Sequence, residues 1–213
     1  MPAGVAEPPH DCALCPRLAA FRADNRAANP GWFNAPVPSF GPADARLLVV
    51  GMAPGLRGAN RTGRPFTGDH AGILLYQTLI RFGLARGAYG ADPGDGLCLI
   101  GTRITNAVRC VPPANKPQPG ELAMCNHFLV GELENLTNLK AILALGLHAH
   151  DAVLLAHKLR RSSQRFAHGA VHALPNGLLL VDSYHVSRLN TATGRLTTAM
   201  FENVVRRVME VVG

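Results

Sequence analysis

The sequence predicts an α/β protein with an open, parallel, four-stranded sheet flanked by helices. Three observations support this fold class. Short apolar runs alternate with helical segments, Gly- and Pro-rich loops follow the runs, and the crossovers are long enough for right-handed connections between parallel strands. The 213 residues, 47% of them hydrophobic, can form one substantial core. We therefore expect a single domain over residues 1–213.

The predicted strands are short apolar runs, as in strands that are buried on both faces of a sheet. The first run, 47–50, ends at Gly51. The other three predicted strands are residues 97–105, 140–145 and 178–181. The predicted helices cover residues 17–25, 70–86, 120–138, 147–159 and 196–211.

Three polar, Gly- and Pro-rich segments each follow a predicted strand. They are residues 51–69, 106–119 and 185–195. In open α/β sheets the ligand site lies beyond the carboxyl ends of the strands. We therefore expect these three loops to converge on one edge of the sheet and to form the functional site there.

The charge balance favours a polyanionic partner, because 21 Lys and Arg stand against 14 Asp and Glu, giving +7. Nucleic acid is the leading class, although a bias in genome composition would also raise the number of arginines. The polar, Pro-rich start is unlike a signal peptide, and no apolar run approaches the length of a membrane helix. We expect an intracellular, cytoplasmic monomer that does not bind membranes.

Four of the five cysteines form a predicted metal site. Cys12 and Cys15 are a chelating pair in a polar segment, and Cys110 and Cys125 flank the Pro-rich loop. Four thiolates suit a [4Fe–4S] cluster or a zinc ion, and the spacing does not separate the two. Cys98, inside an apolar strand, is expected to be a structural core residue. The metal would tie the N-terminal segment 1–45 to the domain.

Several loop motifs together resemble those of family 5, or type B, of the uracil-DNA glycosylase superfamily. The motifs are GMAPG at 51–55, NRTGRPFTGD at 60–69, NAVRCVPP at 106–113, HVSRLN at 185–190 and TGRL at 193–196. The layout of the four cysteines is similar to that of families 4 and 5, where it binds a [4Fe–4S] cluster. The resemblance implies a DNA-repair enzyme that removes uracil and other deaminated bases, such as hypoxanthine, from single- and double-stranded DNA.

The resemblance also implies a role for each motif residue. Phe66 would stack on a flipped base, Asn106 would pair with the edge of uracil, and His185 would donate to O2 as the base leaves. Asp69 would serve the water or the cationic sugar. Gly51 and Ala53 would complete the base site, so that Asp69, His185 and Asn106 form the catalytic set.

The DNA contacts are predicted in the loops around this site. They are Arg57, Arg61, Arg64, Ser187, Arg188, Leu189 and Asn190. Leu189 is either a wedge that fills the vacated base stack or an ordinary loop leucine that packs on the core.

The sequence departs from the wider superfamily at two places. Met52 and Ala53 supply no carboxylate in the opening motif, an absence that marks family 5, and Val186 and Arg188 replace the usual prolines. Three other hypotheses stay open: a uracil-specific family-4 enzyme, a related branch that bonds covalently to the abasic sugar, and a nucleic-acid-binding module without catalysis. Asp69 also suits a helix N-cap.

Overall fold

The computed structural model describes residues 7–213, and its core is a central sheet with helices on both faces. Residues 1–6 of the predicted N-terminal segment lie outside the described residues. The strands are β1 (Leu47–Gly51), β2 (Ala85–Arg86), β3 (Cys98–Leu99), β4 (Thr102–Asn106), β5 (Ala141–Leu145), β6 (Val171–Ala173) and β7 (Leu179–Ser183). The helices are α1 (Pro16–Ala28), α2 (Ala59–Thr62), α3 (His70–Arg81), α4 (Pro119–Asn135), α5 (Leu147–Ala156), α6 (Arg188–Ala192) and α7 (Thr198–Val212).

The α/β fold class is confirmed, with a central sheet of order β4-β1-β5-β7-β6 in the described residues. Strands β4, β1, β5 and β7 are parallel, and β6 adds an antiparallel edge strand that the sequence pattern did not predict. The sheet therefore has five strands in residues 7–213, whereas we predicted four. Residues 171–173 are exposed or half-buried, so β6 lacks the apolar run by which a buried strand is recognised.

The predicted strand 97–105 is divided in two. Residues 98–99 pair with β2 in a separate small sheet, whereas 102–106 join the central sheet. Gly101, with φ +54°, lies in the bend between them, and its carbonyl accepts hydrogen bonds from the Arg46 and Leu47 amides. The expectation of a buried Cys98 is wrong, because its side chain is exposed on the small sheet.

Alternating side chains of β1 divide the core into two layers. Leu47 and Val49 pack with α3 and α7, whereas Leu48 and Val50 pack with α4 and α5. All four are fully buried, which explains why the strand is continuously apolar. None of the helices in residues 7–213 combines the length and the apolar character that a membrane crossing requires.

The register of the parallel strands places their carboxyl ends side by side. Gly51 of β1 pairs with Asn106 of β4, and Leu145 of β5 pairs with Ser183 of β7. In the sheet, β4 lies on one side of β1, and β7 lies on the other side of β5. The connections that follow β1 and β5 therefore run in opposite directions, and the point between β1 and β5 is where the strand order reverses. Ligands of open α/β sheets bind at such a switch point.

Candidate active site

A cavity of about 550 Å³ lies at this switch point. Its volume falls within the range of small-ligand pockets. All three predicted loops reach it, as expected from their positions after strands. Residues lining the cavity include Ala53, Phe66, Asp69, Asn106, Tyr184, His185 and Arg195.

Gly51 lies directly beneath the ring of Phe66 and the amide of Asn106. A Cβ atom at this position would collide with Phe66 Cζ and with Asn106 Oδ1. The absence of a side chain on Gly51 therefore allows the ring and the amide to come together at the ends of β1 and β4. Phe66 itself has φ +52°, an uncommon conformation for an aromatic residue, and is 7% exposed.

Asn106 is 3% exposed, and its side-chain amide has no hydrogen-bond partner within residues 7–213. The buried side-chain polar atoms without a partner in residues 7–213 are Asn60 Oδ1 and His157 Nε2, so the Asn106 amide is not fully cut off from water. It faces the cavity at the end of a rigid strand. The amide can therefore offer both a donor and an acceptor to a bound ring.

His185 follows β7 and faces Phe66 across the cavity, with ring centroids 6.1 Å apart. The Asn190 side chain donates to the His185 backbone carbonyl at 2.8 Å and so holds this residue in place. Burial lowers the pKa of His185 to about 4. At neutral pH the imidazole is therefore uncharged, with one nitrogen available as a donor.

Asp69 is the N-cap of α3, because its Oδ1 accepts from the Ala71 amide at 3.1 Å. Burial raises the pKa of Asp69, although the backbone amides of Ala71 and Gly72 act in the opposite direction. Side chains at Gly55 or Gly58 would collide with its Oδ2. The carboxylate is thus both a cap, as the alternative interpretation proposed, and a desolvated group at the cavity.

Most of the predicted DNA-contacting side chains are open to solvent. Arg57, Arg61 and Arg188 are exposed, and the Leu189 side chain is 73% exposed, so it does not pack on the core. Ser187 instead caps α6, since its Oγ accepts from the Asn190 amide. Ser187 and Asn190 therefore have local structural contacts in addition to any that they make with DNA.

The assignment of Arg64 to DNA contact is not supported. Its guanidinium is 5% exposed and makes a bidentate ion pair with Asp95, with both N–O distances at 2.7 Å. It also packs over the rings of Phe40 and Tyr76. Asp95 lies 31 residues away in the chain, so no local pattern could have indicated that Arg64 is buried.

The four predicted metal-binding cysteines line one small apolar cavity together with Leu18, Val108 and Phe128. Arg22 donates to Cys110 Sγ, and the Arg109 amide donates to Cys125 Sγ, each at 3.4 Å. Such donors stabilise thiolate sulfur.

The spacing of these sulfur atoms tests which group would fit. In the part of the chain from residue 7 onward, no three of them lie within 4.8 Å of one another. Four thiolates about 2.3 Å from one zinc ion would be roughly 3.8 Å apart. As placed, the four sulfur atoms are therefore too far apart to share a single zinc ion.

A buried cluster that the sequence did not indicate joins α5 to the last two strands. The two Asp182 carboxylate oxygens contact His150 Nδ1 at 2.8 Å and His172 Nε2 at 3.1 Å. His150 Nε2 contacts the Gln164 carbonyl at 3.0 Å. The sequence carried no signal for this cluster, because its members lie on separate elements.

The cavity thus brings together an aromatic ring, a side-chain amide and an imidazole, Phe66, Asn106 and His185. Residues 38–208 match the family model described as Uracil DNA glycosylase superfamily. A Type-5 uracil-DNA glycosylase of Thermus thermophilus is 47% identical over 208 residues, which cover 95% of this chain and 94% of the relative. Another, of Pyrobaculum aerophilum, is 39% identical over 201 residues, covering 92% of this chain and 87% of the relative.

A Type-4 uracil-DNA glycosylase of Thermotoga maritima is 38% identical over 110 residues, which cover 51% of this chain and 49% of the relative. The chain therefore belongs to the uracil DNA glycosylase superfamily, in its type-5 branch. The family predicted from the loop motifs is confirmed.

Proposed function

We propose that the protein, acting as a monomer, hydrolyses the N-glycosidic bond of uracil and of other deaminated bases in DNA, as the first step of base excision repair. The observation that carries this proposal is the geometry of the cavity: Phe66 and the Asn106 amide meet over Gly51, and neutral His185 faces Phe66 with ring centroids 6.1 Å apart. The desolvated Asp69 lines the same cavity. The relatives named Type-5 uracil-DNA glycosylase support the same activity.

In the proposed reaction, the target base leaves the stack and enters the cavity. Phe66 stacks on its ring, and the Asn106 amide donates to O4 and accepts from N3–H of uracil. The bond between C1′ and N1 breaks, and the base leaves with the electron pair. Neutral His185 donates a hydrogen bond to O2 and so stabilises the charge that develops on the base.

Asp69 acts on the sugar side of the same reaction. Its carboxylate stabilises the cationic sugar and orients a water molecule, which bonds to C1′ and releases its proton to the carboxylate or to solvent. The products are the free base and an abasic site. Because Met52 and Ala53 bring no second carboxylate, Asp69 is the acidic side chain at the cavity that can take this role.

We expect the lesion range to include both uracil and hypoxanthine. Stacking on Phe66 suits either ring, and the Asn106 amide matches an edge that both bases present. Hypoxanthine presents O6 and N1–H where uracil presents O4 and N3–H, so replacing Asn106 with alanine should lower the single-turnover release rate of both bases by about 5- to 30-fold, because one hydrogen-bonded contact is worth about 1–2 kcal/mol. Release is measured from duplexes that differ only in the target base. If the unaltered protein released uracil alone, a uracil-specific enzyme of the family-4 kind would be favoured instead.

A non-catalytic DNA-binding module is the second candidate function. The net charge of +7 favours it as much as it favours an enzyme. A desolvated carboxylate at the cavity, Asp69, is costly for a protein that only binds DNA. Release of free uracil from DNA, measured with the unaltered protein, separates the two functions.

We further propose that Cys12, Cys15, Cys110 and Cys125 hold a [4Fe–4S] cluster. The shared cavity and the wide sulfur spacing support it. When bound, the cluster supplies a covalent link between the N-terminal segment and the loop after β4, and it takes no part in the release of the base. Arg17 supports the same link, since it makes a bidentate ion pair with Glu121 at the start of α4.

Protein purified without oxygen should be brown, with about four iron atoms per chain. Replacing Cys110 with alanine should remove the colour and lower solubility and DNA affinity together, because the loop after β4 loses its anchor. Cys98, exposed and outside the site, provides the matched control: its alanine variant should keep the colour. A colourless preparation with one zinc per chain would refute the assignment of iron.

A further inference from the structure

A strongly basic surface segment separates α5 from β6. We name residues 157–165 the basic loop. Its sequence, HKLRRSSQR, holds four Lys and Arg and no Asp or Glu. The four side chains, Lys158, Arg160, Arg161 and Arg165, are exposed. Only Arg161 has an acidic partner among the described residues, Asp151 at 3.4 Å, and a pair this exposed is weak.

The basic loop is anchored at its end by the buried cluster around Asp182. The Gln164 carbonyl contacts His150 Nε2, and the Ala167 amide donates to Asp182 at 3.4 Å. Both partners of the His150 ring are acceptors, so this geometry favours the form of the ring in which both nitrogens carry a proton. Burial acts to lower the pKa of His150, but the hydrogen bonds to Asp182 and to the Gln164 carbonyl, together with the charges of Asp182 and Asp151, outweigh it, and the pKa is raised. A loop that is merely solvated needs no such anchor.

The anchor also places the basic loop beside the active-site cavity. Phe166, which directly follows the basic loop, lines the cavity. It packs edge-on against His150, with ring centroids 5.7 Å apart. His148, at the start of α5, lines the cavity as well. Arg165, which directly precedes Phe166, and Arg161, which contacts Asp151 in the first half of α5, therefore lie close to the cavity-lining residues. DNA must pass over the cavity mouth when one of its bases enters the cavity.

We propose that the basic loop binds the phosphate backbone of DNA next to the target nucleotide. This inference rests on the proposed function, because it requires a base to be held in the cavity. The contacts to phosphate position the DNA and carry no sequence information. The basic loop would then be a third group of cations around the site. The other two are the pair Arg57 and Arg61 and the pair Arg188 and Arg195.

The test compares two double variants that remove equal charge. One is Arg160→Ser/Arg165→Ser in the basic loop. The other is Arg46→Ser/Lys140→Ser, whose two exposed side chains precede β1 and β5 at the opposite edge of the sheet. Dissociation constants for a uracil-containing duplex are measured with the cluster-loaded protein over a range of salt concentrations.

The loop variant should bind about tenfold more weakly at low salt, and the slope of log Kd against log salt should fall by about 0.9 for each phosphate that the loop no longer neutralises. The control should keep the slope of the unaltered protein. Arg160→Lys/Arg165→Lys should restore most of the slope, which excludes misfolding as the cause. An unchanged slope in the loop variant, or an equal decrease in both variants, would overturn the proposal. Uracil release by the unaltered protein tests the proposed function separately.

Discussion

Replacing Asp69 with asparagine is expected to lower the single-turnover rate of uracil release by about 10²- to 10⁴-fold, the usual contribution of a positioned acid or base. Asparagine caps helices as well as aspartate does, so α3 should remain intact. DNA affinity should change little, because the carboxylate acts in the transition state. The measurement is single-turnover release of uracil and of hypoxanthine at saturating enzyme, with Asp44→Asn, at the opposite edge of the sheet, as the control.

The pH dependence gives a second measurement on the same variant. Burial raises the pKa of Asp69 above its ordinary value, so the charged form is disfavoured in the folded state. Release by the unaltered protein should therefore fall on acidification at a pH above 3.8, the ordinary pKa of the group, and Asp69→Asn should lose this pH dependence. A variant that released both bases at the original rate would refute the catalytic assignment.

Asp69→Asn should not lower the stability of the folded protein, although it lowers the rate of base release. A carboxyl group whose folded pKa is raised favours folding when protonated, and this contribution is lost as the pH rises through the folded pKa. At neutral pH the charge on Asp69 therefore costs stability. Asp69→Asn removes this cost, so the variant should be as stable as the unaltered protein, or more stable, in urea unfolding at pH 7.

Replacing Glu132 with alanine should lower the free energy of unfolding by about 3–5 kcal/mol, since two buried guanidinium groups each lose the more buried of their two carboxylate partners. The Glu132 side chain is fully buried in α4 and accepts from Arg103 at 2.6 Å and from Arg109 at 2.7 Å. Glu7, which is 30% exposed, contacts the same two arginines at 3.1 and 2.9 Å. The four side chains form a closed ring beside Cys110.

Urea unfolding of the cluster-loaded protein measures this loss. Glu134→Ala, on an exposed position of the same helix, should cost less than about 1 kcal/mol. The loss of unfolding free energy in Glu7→Ala should lie between the losses in Glu132→Ala and Glu134→Ala, because water reaches the Glu7 side chain and partly replaces its contacts. A Glu132→Ala variant as stable as Glu134→Ala would show that the ring contributes no net stability.

The sequence by itself indicated the positions of the four parallel strands, most of the helices between them and the edge at which the site lies, but not the division of the predicted strand 97–105 or the strand at 85–86. The run 47–50 could belong only to a strand buried on both faces, and the loops after β1, β4 and β7 had to meet where parallel strands end. Phe66, Asp69, Asn106 and His185 line one cavity for this reason. Their chemical roles remain predictions.

Tertiary structure alone decided features that depend on partners far apart in the chain. Whether Arg64 is exposed depends on Asp95, and whether His150 is charged depends on Asp182 and on the Gln164 carbonyl. The edge strand β6 exists because β7 offers it hydrogen bonds, not because its own residues are apolar. Local periodicity reports which face of an element is buried. It carries no information about which distant charge or carbonyl a side chain meets, and only packing settles that.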